Sequence, residues 1–181
     1  IVGLPEAAVR ESRERVRSAL LNSGFDFPTR RITVNLAPAD LPKEGGRFDL
    51  PIALGILAAS DQLPPACLDG LECLGELGLG GELRPVRGVL TATLAAVRCS
   101  RTLVLPLDNA EEAALVAGVD LLPAPHLTEL TAHLSGKEPI VPVNRVPTQP
   151  KSSPEPDLCD VRGQHLGRRG WSSHRPVVTL C

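Results

Sequence analysis

The sequence predicts an α/β protein, more closely an α+β two-layer sandwich with a mixed sheet. Three observations lead there. Short β-rich runs and amphipathic helical runs follow one another without strict alternation, which argues against a doubly wound sheet. A Gly80-Gly81 pair separates two β-rich runs, a strong hairpin signal. Apolar residues make up 43% of the chain but aromatics only 2%, so the core must be built from aliphatic side chains. Such side chains pack well between helices and sheets.

Each element has its own signal. A turn at Gly3-Leu4-Pro5 leads into the first helix, with Pro5 at a first position that needs no N–H. Ala8, Val9, Ser12, Val16, Ala19 and Leu20 then form one stripe at the 3.6-residue period. Arg10, Glu11, Arg13, Glu14, Arg15 and Arg17 read as a solvated face laced with i,i+4 pairs, and Gly24 ends the helix. Residues 31–36 (RITVNL) alternate and read as a strand. A loop spans 37–47. Residues 49–60 (DLPIALGILAAS) read as a buried helix, capped by Asp49 with Pro51 in its first turn. Residues 63–69 read as a loop, and 72–79 with 82–86 as the two hairpin strands. A helix over 88–97, a strand over 102–105 and a helix over 109–117 follow. Asn109 is the expected cap of that last helix and Gly118 its stop. A strand over 119–122 and a helix over 127–134, ended by Gly136, complete the folded part.

Composition excludes several classes. A net charge of -2 gives no global field to attract nucleic acid or a membrane surface. Cys67, Cys73, Cys99, Cys159 and Cys181 are scattered and never spaced as C-x-x-C, so a disulfide framework or zinc site is not expected and a reducing cytoplasm fits best. No apolar run reaches the roughly 18 residues that a membrane helix needs, and no signal peptide is expected.

Catalytic motifs are also missing. There is no G-x-S-x-G for a serine nucleophile and no G-x-x-x-x-G-K-[ST] to cradle phosphates. The glycine-rich run over 75–81 is followed by a strand, where an anion site needs a helix N-terminus, so its glycines read as turn and close-packing positions. His126 and His133 lie one heptad apart on a predicted helix; surface or cap roles are favoured over metal. Lys43, Arg47, Arg84 and Arg87 sit near the loop and hairpin and are candidate contacts to phosphate, against the alternative of solvated surface charge.

Long blocks carry a family resemblance. The run PKEGGRFDLPIALGILAASDQLP, then GELGLGGELRPVRGVLTATLAA, then RTLVLPLDNAEEAALVAGVDLLPAPHLTELTAHLSG, together with the opening IVGLPEAAVRESRERVRSAL, resembles the N-terminal domain of bacterial magnesium-chelatase-like proteins of the ComM (YifB) type. The resemblance covers about residues 1–163 and implies a Lon-protease-like (ribosomal-protein-S-five domain-2-like) fold. It also implies an accessory role beside an AAA+ motor. In the parent protein that motor would bind ATP and magnesium, assemble as a homo-hexamer and drive DNA branch migration during natural transformation. A magnesium-chelatase subunit fragment or a protease-like enzyme is the alternative.

The Lon comparison bears on catalysis. The protease segment resembling P-K-D-G-P-S-A-G-I-A lines up with residues 42–53, which puts Asp49 in the place of the serine nucleophile. The segment resembling P-I-G-G-L-K lines up with residues 85–90, which puts Leu90 where the lysine base would stand. A leucine neither takes nor gives a proton, so the resemblance implies no peptide hydrolysis by this dyad. Ser60 and Lys43 are the nearest other candidates, and neither falls at a dyad position.

The expected organisation is a Lon-like domain over 1–138 that lacks its first strands, a Pro-rich linker over 139–156, and the start of an AAA+ module over 157–181. The last segment loses the family pattern after about residue 165 and is expected to be disordered. No cofactor is expected in this chain. DNA is a possible partner and a membrane is not. An incomplete sheet would leave an edge open to pairing with another chain, so self-association through that edge is expected.

Overall fold

The computed structural model describes residues 6–36 and 45–140, with side chains from residue 11 onward. All of them belong to the first of two units into which the chain divides, Ile1–Pro147. The expected linker and AAA+ start lie almost entirely outside the described residues.

Ten elements run in the order α1 (Glu6–Asn22), α2 (Asp49–Ala59), β1 (Leu71–Cys73), β2 (Glu76–Leu77), β3 (Leu83–Arg84), α3 (Val89–Arg98), β4 (Thr102–Pro106), α4 (Ala110–Ala113), β5 (Leu121–Ala124) and α5 (Leu127–Leu134). Short 3-10 turns cover Pro65–Leu68, within the expected loop, and Leu107–Asn109. The α/β class holds. Both strand directions occur, divided between two sheets: a parallel sheet in the order β1-β4-β5 and an antiparallel ribbon of β2 with β3.

Alternation along β4 sorts the core into two. Val104 joins Leu122, Ala124 and residues of α1, α2 and α5 in the larger cluster. Leu103 and Leu105 point the other way, to Val89 and Ala96 of α3 and Ala113 of α4. Helices therefore cover both faces of the parallel sheet, as βαβ crossovers require. The central strand is accordingly buried from Leu103 to Pro106.

The hairpin differs from expectation. One continuous strand over 72–79 was expected, but the chain breaks at Leu74-Gly75. The first part, β1, pairs parallel with β4 (Glu72 opposite Leu103). The second part, β2, pairs antiparallel with β3 (Leu77 opposite Leu83). Gly75 sits at the change of partner, where a Cβ would be in ordinary van der Waals contact, 3.4 Å from Leu50 Cδ2 and Pro106 Cγ. At the tip, Gly81 takes φ +99, which favours glycine, and the Gly78 N–H donates to the Glu82 carbonyl at 2.9 Å.

Three further expectations are corrected. Residues 31–36 belong to no named strand, and Asn35 alone forms a bridge. The helix expected over 109–117 is a 3-10 turn followed by the single turn of α4, because Leu115 and Val116 bond back three residues rather than four. Asn109 does not cap it. Its side chain instead accepts from the Val86 N–H (2.9 Å) and donates to the Val86 carbonyl (3.1 Å). The strand expected over 119–122 lies at 121–124 and runs through Pro123, which an edge strand tolerates. By contrast α5 has the expected bounds, and Ser12, Val16, Ala19 and Leu20 of the expected α1 stripe are all buried.

No helix among the described residues is long and apolar enough to cross a membrane. Cys67, Cys73 and Cys99 are free thiols. Burial pushes the Cys73 thiol up to about 12, with Glu72 beside it adding to the effect. At pH 8 its thiolate fraction is then on the order of one in ten thousand. In the native protein, iodoacetamide at pH 8 is expected to modify the exposed Cys99 well before Cys73, as read by peptide mass mapping. Stability linked to Cys73 is full below about pH 9, the ordinary thiol range, and falls as pH rises towards 12.

Candidate functional site

The start of α2 is where the resemblance to Lon proteases would put a nucleophile, and backbone bonding builds it. The Asp49 N–H donates to the Gly46 carbonyl (2.8 Å), Leu50 N–H to Gly75 carbonyl (3.0 Å) and Ile52 N–H to Phe48 carbonyl (3.0 Å). The Gly75 N–H returns a bond to the Arg47 carbonyl at 3.0 Å. These bonds tie the loop to the β1–β2 break and satisfy N–H groups that a side-chain cap would otherwise serve.

Asp49 is therefore not a cap, contrary to expectation. Phe48 holds the cap position, with no side-chain cap bond. The Asp49 carboxylate turns to α1 instead. It accepts from Ser12 Oγ (2.8 Å), from Arg15 Nε (2.7 Å) and Nη2 (3.3 Å), and from the Leu77 N–H (3.4 Å). Asp49 is 1% exposed while the Arg15 side chain keeps 18% of its surface in solvent. Arg15 also holds Glu11 at 2.7 Å, the i,i+4 pair expected on the helix face. Its guanidinium is raised further above its ordinary value, first by the hydrogen bond to Asp49. Residue types alone placed Arg15 on the solvated face. The one available signal was Ser12, a hydroxyl inside the apolar stripe.

The other candidates fall into separate places. Leu90, in the first turn of α3, is 40% exposed and is not among the groups bonded to Asp49. Ser60 closes α2, donating to the carbonyls of Ile56 (2.8 Å) and Leu57 (3.3 Å) and accepting from Gln62 Nε2 (2.8 Å). Lys43 lies outside the described residues. Arg47 donates through Nη2 to the Arg87 carbonyl, joining the two loops. Arg47 and Arg87 line one groove of about 560 Å³, together with Glu76, whose carboxylate opposes an anion there. Arg84 is elsewhere and pairs with Glu82 at 2.9 Å. The Glu82 carboxyl is held below its ordinary range, first by its own backbone N–H and then by Arg84.

Both described histidines serve the backbone. His126 is the N-cap of α5: its Nδ1 accepts from the Thr128 N–H (3.2 Å). In the neutral ring Nε2 then carries the proton and donates to the Gly80 carbonyl (3.1 Å). The Leu127 N–H also donates to the Gly81 carbonyl (2.9 Å), so the hairpin tip is fastened to α5. His133 Nδ1 accepts from the Ile140 N–H at 2.9 Å.

With this geometry in place, the comparisons define the class. The family profile described as "Subunit ChlI of Mg-chelatase" matches residues 1–109, and the chain belongs to that magnesium-chelatase-like family. Within it, the chain is 48% identical over 94% of its length to the uncharacterized protein YifB of Salmonella typhimurium. It is 49% identical over 93% of its length to the competence protein ComM of Haemophilus influenzae. These alignments cover 33% and 34% of the two relatives, so the chain spans about a third of their length. A Lon protease of Rhizobium meliloti is 26% identical over 83% of the chain, in keeping with the fold class.

Removing one partner of a buried ion pair leaves the other charge stranded. Asp49→Ala is expected to cost about 3 kcal/mol, the low end for such pairs because Arg15 remains partly solvated. The double variant Asp49→Leu/Arg15→Met is expected to recover most of that loss. Urea denaturation of the single and double variants reads both. A single-variant cost within error of zero would mean that the pair holds nothing together.

Proposed function

We propose that this chain is a non-catalytic accessory domain of a larger magnesium-chelatase-like AAA+ protein. The observation that carries the reading is the position of Asp49. In the nucleophile's place stands a carboxylate engaged by Ser12, Arg15 and a backbone N–H. In the base's place stands an exposed leucine, Leu90. Buried and held by those donors, the Asp49 carboxylate is not presented to a substrate carbonyl, and a leucine neither takes nor gives a proton.

On this reading ATP and magnesium belong to the motor of the parent protein. DNA branch migration and a homo-hexameric ring are proposed for that whole protein on the resemblance to the ComM type; the name of its Haemophilus relative speaks of competence alone. The domain's part is to hold its neighbours or partners in place. A second reading, part of a magnesium chelatase, draws on the description of the family itself.

A fluorophosphonate probe and a casein digestion separate an accessory domain from a protease with a rearranged dyad. No labelled serine and no casein fragments are expected. Labelling of Ser60, or of any serine in native protein but not in denatured protein, would overturn the reading.

A further inference from the structure

One face anchors α3. Val89 and Ala96 are buried in one cluster with Leu103 and Leu105 of β4 and Ala113 of α4. Thr93 lies between them, also buried, and donates to the Val89 carbonyl at 2.8 Å. The outer face carries Leu90, Thr91, Leu94 and Ala95, all exposed. Leu90 and Leu94 are one turn apart on it. A surface helix ordinarily turns charged residues to water. Residues 88–97 contain no charged side chain, so water meets apolar surface along most of this helix. Arginines stand at its two ends: Arg87 just before it, and Arg98 and Arg101 at and just past its close, all exposed.

A second exposed apolar stretch follows β4. Leu107 and Leu115 flank α4, and Leu115 keeps 72% of its surface in solvent. Asp108, Glu112 and Asp120 are exposed around them. The two stretches carry opposite charge, sorted along the chain. From 83 to 107 the only charged residues are Arg84, Arg87, Arg98 and Arg101. From 108 to 136 there is neither lysine nor arginine, and every formal charge is a carboxylate. The near-neutral total of -2 conceals this partition.

We propose that the outer face of α3 in one copy of this chain docks on the 107–120 stretch of a second copy. Leu90 and Leu94 would pack against Leu107 and Leu115. Arg87, Arg98 and Arg101 would face Asp108, Glu112 and Asp120. Apolar contact supplies the affinity, and opposite charge sets the orientation. Charge also works against pairing two α3 faces, which would bring arginines together. The two surfaces differ, so the contact is heterologous and each copy offers both halves of it. The inference does not rest on the accessory reading, and its failure leaves the Asp49 arrangement untouched.

Sedimentation velocity of the whole chain is expected to show a mass that rises across the micromolar range. Leu90→Asp/Leu94→Asp and Leu107→Asp/Leu115→Asp alter exposed side chains only. Each is expected to leave the chain monomeric with an unchanged circular dichroism spectrum. Mixing the two variants is the decisive arm. Each retains the half that the other has lost, so an equimolar mixture is expected to give 1:1 dimers and nothing larger. Arg98→Glu/Arg101→Glu, with every leucine kept, is expected to weaken association about tenfold. A chain that stays monomeric at every concentration would overturn the proposal. So would association that survives either leucine variant, which places the contact elsewhere, a strand edge included. A mixture that stays monomeric, or unchanged affinity in the arginine variant, would overturn it as well.

Discussion

The Asp49 carboxylate is the constraint on which the rest of the structure depends. A charge that is 1% exposed is tolerable only when fully partnered. Its partners come from α1 (Ser12 and Arg15) and from β2 (the Leu77 N–H). Meeting that need aligns the first helix, the second helix and the ribbon around one point. The Ser12 and Arg15 contacts bridge 37 and 34 residues of sequence. Leu50 and Leu77, next to these contacts along the chain, are both fully buried. Low polarity there strengthens the attraction and raises the cost of losing either partner.

On the proposed reading, the same arrangement explains why no dyad chemistry would arise at this point. A nucleophile at a helix start needs an exposed, activated atom. Asp49 sits at a helix start, where backbone N–H groups and the helix dipole favour negative charge. Its oxygens face inward and accept bonds. Asp49 is in this way part of a structural junction between α1, α2 and the ribbon. Around it the hairpin is pinned at its tip by His126 and at its base by Asn109, two polar side chains that each serve the backbone of another segment.

How far the site was legible depended on the reach of each interaction. Local signals read well. The period of α1 located Ser12, Val16, Ala19 and Leu20 inside, and the bounds of α5 followed from its flanking residues. Asn109 and Asp49 were misread for one reason. Both residue types are good caps, and both lie at a helix start, but each was claimed by a partner distant in sequence: Val86 for Asn109, Arg15 and Ser12 for Asp49. The strand over 72–79 was misread because one hydrophobic run feeds two sheets, and only Gly75 marks the point where it changes partner.

Sequence alone determined the α/β class, the aliphatic character of the core, the helical faces and the family. These rest on periodicity, composition and residue identity, which are local or cumulative properties of the chain. Only the tertiary structure decided that helices cover both faces of the parallel sheet. It likewise decided that Asp49 pairs rather than caps. Each of these depends on which distant groups meet in space. A carboxylate, an amide side chain or a strand edge has several possible partners in water, and packing selects one.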